Sequence, residues 1–561
     1  MPELKLSGAP ESSGQPAVRE AGSAAGQPPG ALRAAAARTA AQVRPRSLWH
    51  RHRPFTIVAL ISLLPRILAA LSFRPALLTA DSFLYMQGAV RYNLGAIRPS
   101  GYSFFLAPFR LLPHPLLAVT TVQHLMGIGI AVIVYALLRY WGLPGWGATL
   151  AAAPVLFDTR EIALESYILP DTLFCLVLLI VVALLLTRQT PRQWQCVTAG
   201  LLMASVTLLR GNGLPLAVVV AAFLLIRKVG WRAFTAAAAA FAIPVLGYVL
   251  VFHSQSGQYS LTSSDGLFLW SRTTSFANCA VIRPPPDLAP LCPDRQAQIK
   301  TPATAPAWSV SYLLTEPTPA DYLWAPDAWW RHDAHPGINA YNNRLALRFA
   351  LDAIKAQPLG YLKASARDVL LAFLATDRPQ SQETMTFTAA PHITVLPSYY
   401  ARDMRAFDGA AGNTHPVYPY AYFLFLYQQP VYFPGLVFLL VVAAGLVGVL
   451  RRWRNWGGMQ ALPWALAAVS VISPALATQG LYRYMMVAIP LACLALGLCF
   501  ARQGPPAPAG VAAQARPAGE ETARDDRDAP AVPPHKQGPG QPGRPGRPAA
   551  PDGAVPPAGP A

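Results

Sequence analysis

The chain has 561 residues, 53% of them apolar and only 13% charged, with a formal net charge of +18. Apolar runs of about one bilayer thickness recur along it, which excludes a single large soluble core and indicates a polytopic membrane protein built from helices. A closed β-barrel needs short alternating segments instead of continuous Leu/Val/Ala-rich runs, and a nucleic-acid partner needs one basic face, whereas these Arg residues are scattered at span ends and in two tails.

Residues 1–52 are rich in Ala, Gly, Pro and Arg and carry no apolar signal region, so they read as a disordered cytoplasmic tail, with the first span as an uncleaved anchor. Spans are predicted at about 55–73, 115–138, 144–157, 169–187, 194–209, 213–226, 233–252, 431–450, 461–478 and 484–501, about ten in all. The third, fifth and sixth are short for a full crossing, and the fifth and sixth could form a re-entrant pair. Arg51 and Arg53, Arg139, Arg188 and Arg192, Arg227, Lys228 and Arg232, and Arg451, Arg452 and Arg454 fall on one side of the alternating spans, which places both termini in the cytoplasm of a plasma or inner membrane. The expected organisation is therefore a transmembrane module over 53–252, an extracytoplasmic region with surface helices over 253–430, transmembrane helices over 431–502, and a disordered Pro/Gly-rich cytoplasmic tail over 503–561.

Asp81 stands just beyond the first span. An ionised carboxylate at membrane depth is costly unless it lines a wet cavity or finds a partner, which makes it a functional candidate. It could equally cap the following helix by accepting the backbone N–H of Phe83 or Leu84. Asp81 and Tyr85 share one face of a helix over 81–92, with Phe83, Met86 and Val90 turned to lipid or other spans; Tyr85 alone also reads as an interfacial anchor. Before the fourth span, the stretch from Asp158 to Asp171 concentrates acids in apolar surroundings, and Asp171 and Glu165 are the second carboxylate candidates. Capping and dipole compensation are their alternative. Arg66, Arg98, Arg210 and Arg483 are expected on the same outer side, against the cytoplasmic bias, and so require anionic partners. Those are the acids just named, lipid headgroups, or a phosphate substrate matched to the guanidinium fork.

The segment from about 253 to 430 is too long for a connector and holds Trp270, Trp308, Trp324, Trp329 and Trp330, so it reads as an ordered elaboration. Residues 346–374 predict a helix, a break at Pro358 and a second helix amphipathic enough to lie on the membrane surface. Cys279 and Cys292 flank Arg283-Pro284-Pro285-Pro286 in a polar region outside the cytoplasm and are expected to form a local disulfide. Cys175, Cys196, Cys493 and Cys499 belong to apolar spans and read as reduced and inert. His332 and His335 are three apart, but their loop setting before Pro336 makes a poor metal pair, and no metal ligands are assigned. No Walker loop, dinucleotide fingerprint, zinc-protease helix or Gly-x-Ser-x-Gly elbow is found.

Four pieces, in order, resemble the GT-C membrane glycosyltransferases that use polyprenyl-phosphate sugars, a superfamily that includes protein O-mannosyltransferases and aminoarabinose transferases. They are Asp81-Ser82-Phe83-Leu84-Tyr85, Arg98-Pro99-Ser100-Gly101-Tyr102 with Phe105-Leu106-Ala107, Leu209-Arg210-Gly211-Asn212-Gly213, and Arg483-Tyr484 with Pro490. Ala350-Leu351-Asp352-Ala353-Ile354 with Gln357-Pro358 and Tyr361 resembles surface helices of bacterial members, so the likeness runs over roughly 55–500. The resemblance implies a GT-C-like all-α fold and an inverting transfer from a polyprenyl-phosphate sugar donor to an extracytoplasmic glycan, lipid or protein acceptor. It implies Asp81 as general base, Asp171 or Glu165 as acceptor-orienting groups, Arg210, Arg483 and Arg98 on the donor phosphate, and Tyr85, Tyr102 and Tyr484 lining the site. A divalent cation is left open. Ser82 follows Asp81 where the O-mannosyltransferases pair Asp with Glu, so a protein acceptor is not specifically implied. The competing classes are a transporter or flippase of lipid-linked saccharides, against which no internal repeat is found, and a non-catalytic membrane scaffold, which requires Asp81 to be dispensable.

Overall fold

A computed structural model describes residues 45–293, 318–374, 386–387, 398–409, 414–455, 457–479 and 482–501. Residues 45–52 of the predicted N-terminal tail belong to the first helix; the rest of that tail, the whole predicted tail over 503–561 and Trp308 lie outside this set.

The described chain is helical throughout, with one two-stranded element. Helices α1 (Pro45–Ile61) and α2 (Leu63–Ser72) run into β1 (Phe73–Arg74), which pairs antiparallel with β2 (His415–Pro416). Then come α3 (Ala80–Arg91), α4 (Gly101–Leu106), α5 (Pro115–Tyr140), α6 (Gly145–Phe157), α7 (Thr159–Ser166), α8 (Asp171–Leu186), α9 (Gln193–Leu209), α10 (Gly213–Ile226) and α11 (Trp231–Ser256). Each predicted apolar segment falls on an apolar helix. By length and composition, three stretches among the described residues are long enough to cross a membrane: His52–Ser72, Pro115–Tyr140 and Trp231–Ser256. The other seven are shorter, so helix length supports full crossing at three positions and ten crossings stay an expectation from sequence.

Helix burial divides the bundle into an inner and an outer ring. In α8, Leu178, Leu179, Val181, Val182, Leu185 and Leu186 are all inaccessible, which is why sixteen almost wholly apolar residues can form a central helix. By contrast α11 buries just Ala233, Ala237, Tyr248 and Phe252 and exposes Ile243, Leu246, Leu250 and Val251, a face that water would penalise and lipid accepts.

A second core belongs to the long segment after α11. There α12 (Asp265–Thr273) packs against α16 (Ala340–Ala356), with Leu267, Trp270, Leu288, Leu291, Ala346 and Phe349 buried together. Between them lie the short helices α13 (Cys279–Ile282), α14 (Pro319–Leu323) and α15 (Trp329–His332). Each large apolar side chain sealed there stabilises the unit by about 1.5–3 kcal/mol. Cys279 and Cys292 are joined by a disulfide with Cα atoms 6.2 Å apart, and the Trp270 indole N–H donates to the Leu291 carbonyl at 2.8 Å, fixing the loop that the disulfide closes. After α16 the chain breaks at Pro358 and resumes as α17 (Pro358–Leu374), as proline's restriction on its predecessor demands. Helices α18 (Ser398–Asp408), α19 (Tyr420–Gln428), α20 (Gly435–Arg451), α21 (Ala461–Ala477) and α22 (Tyr482–Cys499) complete the described fold.

Candidate active site

The two acid-bearing segments are joined directly. Leu77 N–H donates to the Ser166 carbonyl and Ile168 N–H to the Leu77 carbonyl, each at 3.2 Å, making an isolated parallel bridge between Leu77 and Tyr167. Four residues beyond each bridge partner stands a carboxylate at the start of a helix, Asp81 in α3 and Asp171 in α8. Capping is not what holds Asp81: Thr79 is the N-cap residue, and its backbone N–H donates to Ser82 Oγ at 3.0 Å. The Asp81 carboxylate turns instead to two guanidinium groups.

Arg98 Nε donates to Asp81 Oδ1 at 3.1 Å and Arg483 Nη1 to Oδ2 at 3.4 Å. Arg483 also grips Asp171, through Nη2 to Oδ2 at 2.8 Å and through Nε to both oxygens at 3.2 and 3.3 Å. Arg210 Nη1 makes a further ion pair with Asp171 Oδ1. Three arginines therefore meet two carboxylates. Exposure falls steadily inward: the Arg98 side chain is 25% exposed, Arg210 13%, Asp81 11%, Arg483 2% and Asp171 0%. Arg483 spends all three of its guanidinium nitrogens on the two acids, whereas Arg98 donates only Nε and Arg210 only Nη1 to other described residues. Arg98 lies 4.9 Å over the Phe268 ring, and Arg210 4.9 Å over Tyr484.

Burial pushes the Asp81 carboxyl up, but Arg98, Arg483 and Arg210 outweigh it and hold it at about 2. Burial, and then the Asp81 charge, push the Tyr85 phenol up. Tyr85 is 2% exposed and meets Tyr102 edge-on at 5.1 Å, so the interfacial-anchor alternative for Tyr85 is corrected; Phe83 and Met86 are buried in protein as well. Close helix approach shapes the neighbourhood: a Cβ at Gly101 would lie 2.5 Å from the Leu208 carbonyl oxygen, so α4 can sit on the end of α9 only with glycine there.

Glu165 belongs to a different cluster. Its Oε1 accepts from Arg66 Nη2 at 2.7 Å, and its Oε2 lies 2.8 Å from His124 Nδ1. Next to it, Gln123 Nε2 donates to the carbonyls of Glu165 and Tyr167 while Gln123 Oε1 accepts from the Tyr102 hydroxyl at 2.5 Å. Arg66 is thereby explained by a protein acid. Gln123 and His124 escape a reading by sequence, although two adjacent polar residues amid the apolar run of α5 were the available signal. Asp158 caps α7 by accepting from Arg160 N–H at 3.0 Å; burial dominates its surroundings and raises it to about 7. Burial, then Asp158 and Glu165, also push Glu161 well above the usual carboxylate range.

The oxygens of Asp171 are taken by guanidinium groups and those of Glu165 by a guanidinium and an imidazole, so neither fits the divalent cation that sequence left open. Among the described residues no group of three or more His, Cys, Asp or Glu is arranged to hold a metal ion. His332 Nε2 lies 3.2 Å from the Pro326 carbonyl and His335 packs against Tyr341, so the two histidines serve separate contacts.

No protein-family profile and no curated protein matches the chain. Solved structures do. ArnT from Cupriavidus metallidurans bound to undecaprenyl phosphate is 12% identical with a TM-score of 0.31, over 79% of this chain and 76% of that one. The same protein in the apo state gives 14% and 0.29 over the same shares. The archaeal oligosaccharyltransferase AglB from Archaeoglobus fulgidus, in complex with an inhibitory peptide and a dolichol-phosphate, is 13% identical with a TM-score of 0.38, over 80% of this chain and 50% of that one. A likeness at this level transfers no residue's role to this chain.

Proposed function

We propose that the chain is a membrane glycosyltransferase that moves a sugar from a polyprenyl-phosphate donor to an extracytoplasmic acceptor. The observation that carries this reading is the imbalance at the site, three guanidinium groups on two buried carboxylates, with Arg98 and Arg210 the more exposed of the three and each giving a single nitrogen to an acid. Such a surplus attracts an anion, and the planar fork suits a phosphate. The sequence resemblance supplies the sugar and the lipid.

In this mechanism an acceptor hydroxyl or amine gives its proton to Asp81 while its oxygen or nitrogen bonds to the anomeric carbon from the face opposite the phosphate. The bond from that carbon to the phosphate oxygen breaks, its electron pair stays on the oxygen, and the lipid phosphate leaves with the anomeric configuration inverted. Arg98 and Arg210 meet the charge that grows on the departing phosphate, which stabilises the transition state more than the ground state. Arg483 bridges the two acids, and the Tyr484 ring packs against the Arg210 guanidinium. The site is taken to face away from the cytoplasm, with both termini inside, as the Lys and Arg distribution orients it.

The test is transfer of radiolabelled sugar from a panel of polyprenyl-phosphate donors in membranes expressing wild type or Asp81→Asn at matched levels. Transfer by wild type that disappears in the variant supports the reading. Equal transfer by both removes Asp81 from the chemistry, and no transfer by wild type across the panel favours transport of lipid-linked saccharides or a scaffold.

A further inference from the structure

Asp81 as it stands is poorly placed to take a proton, because both of its oxygens are engaged by guanidinium groups. The two contacts are unlike. Arg483 is 2% exposed and bound through three nitrogens, so it is fixed; Arg98 is a quarter exposed and makes one hydrogen bond to Asp81. The backbone around Arg98 is held on both sides. Gly95 N–H donates to Ser100 Oγ at 2.9 Å, Ser263 N–H to the Ala96 carbonyl at 2.7 Å, Ser264 Oγ to the Ile97 carbonyl at 3.0 Å, and Ser100 N–H to the Tyr248 hydroxyl at 3.1 Å. Movement of the guanidinium is therefore a side-chain rotation, and Phe268 offers it a ring face on which to remain in the site.

Resting on the donor assignment above, we propose that Arg98 is a ligand-responsive guard on Asp81: a phosphate group draws the Arg98 guanidinium off Oδ1, while Arg483 keeps Oδ2 and so presents Oδ1 to the acceptor. Arg98 gives only Nε to Asp81 and Arg210 only Nη1 to Asp171, the two acids that Arg483 links, so a phosphate that takes the remaining N–H groups of Arg98 competes with Asp81 for its charge. Burial acts most strongly on the proton affinity of Asp81, followed by Arg98 from the loop, Arg483 from α22 and Arg210 from the end of α9, while Asp171 from α8 and Tyr85 on its own helix interact with the Asp81 charge. Only Arg98 is both exposed and bound to Asp81 by one contact. The consequence is an order of events in which the carboxylate becomes a competent base after the donor phosphate has arrived, which keeps the acceptor unactivated in an empty site.

The test is carbodiimide labelling of Asp81 in the full-length protein in detergent near pH 6, since dicyclohexylcarbodiimide reacts with protonated carboxyls in apolar surroundings; peptide mass spectrometry reads Asp81 with Asp171 as internal control. Undecaprenyl phosphate, its binding measured by radiolabel on the same sample, is expected to raise Asp81 labelling several-fold and leave Asp171 little changed. Arg98→Gln is expected to show the raised labelling without lipid and no further rise with it. A rise confined to the lipid assigns the trigger to lipid-borne phosphate, and an equal rise with inorganic phosphate assigns it to the phosphate group alone; both support the guard. Bound lipid with Asp81 labelling unchanged or lowered overturns it. Absence of radiolabel on wild type overturns the donor assignment itself, and the two failures are told apart on one sample.

Discussion

Two buried ionic clusters lie a few residues apart in the chain and are built on different plans. Around Glu165, one carboxylate is shared by Arg66 and His124, with all three side chains 8% exposed or less. Around Asp81 and Asp171, three guanidinium groups serve two carboxylates and exposure rises outward to Arg98. The first ties α2, α5 and α7 together, with its remaining donors, Arg66 Nε and His124 Nε2, sealed inside the protein. The second has more guanidinium groups than acids and carries one of them, Arg98, to partial exposure. Buried charge alone does not mark a reaction site, since structural ion pairs bury charge too; the proposed site rests on the surplus of guanidinium groups and the partial exposure of Arg98.

The largest expected difference between the clusters is in activity. Asp81→Asn should lower sugar transfer by about 100- to 10,000-fold, the usual worth of a general base, with a smaller loss of melting temperature than in the sealed cluster, because the amide oxygen still accepts a hydrogen bond and Arg483 keeps Asp171. In the sealed cluster the effect should fall on folding: Glu165→Ala leaves Arg66 buried without its partner and should cost about 3–5 kcal/mol, read as loss of monodisperse protein in detergent. Gly127→Ala should act in the same direction, because a Cβ there would overlap Glu165 Oε1. Equal stability loss for Asp81→Asn and Glu165→Ala would erase the distinction.

A smaller effect is expected away from both clusters. Replacing Cys279 and Cys292 with Ser opens a short loop and should lower the stability of the α12–α16 unit by up to about 3 kcal/mol, measured by thermal unfolding, while lipid-phosphate binding persists. The smallest is a pH effect. With Asp158 raised to about 7, the folded protein holds a proton that the unfolded chain releases at ordinary carboxylate values, so this stabilisation is full at low pH and fades as pH rises through about 7. Melting temperature should fall between about pH 5 and 8, less steeply in Asp158→Asn. Asp81 has the opposite sign: its lowered value contributes stability above the ordinary carboxylate range that is lost as pH falls towards about 2, outside that interval.

Much of this was legible in the sequence because charge in apolar surroundings is conspicuous. Asp81, Asp171, Arg98, Arg210 and Arg483 stand out one by one, and the Pro358 break follows from backbone sterics. Partnership was not legible. Nothing local tells that Arg66 belongs to Glu165 ninety-nine positions away, or that Arg483 closes on both acids, since ion pairing over such separations is fixed by helix packing. Asp81 could be read as a helix cap because its position at the helix start is right for one; the structure gives that end to Thr79 and Ser82, a choice decided by which carboxylate has guanidinium groups in reach. Tyr85 misled for a related reason, its burial being set by α4 and not by its place in the chain.

The central claim, that the unbalanced cluster takes a lipid-borne phosphate, is met most directly by binding of radiolabelled undecaprenyl phosphate to purified wild type and Arg210→Gln. The account expects saturable binding by wild type and at least about tenfold weaker binding by the variant, compared on folded, monodisperse protein, since a charge-assisted contact to phosphate is worth about 1.5–3 kcal/mol. Equal affinity in the two proteins, or no saturable binding by either, would contradict it.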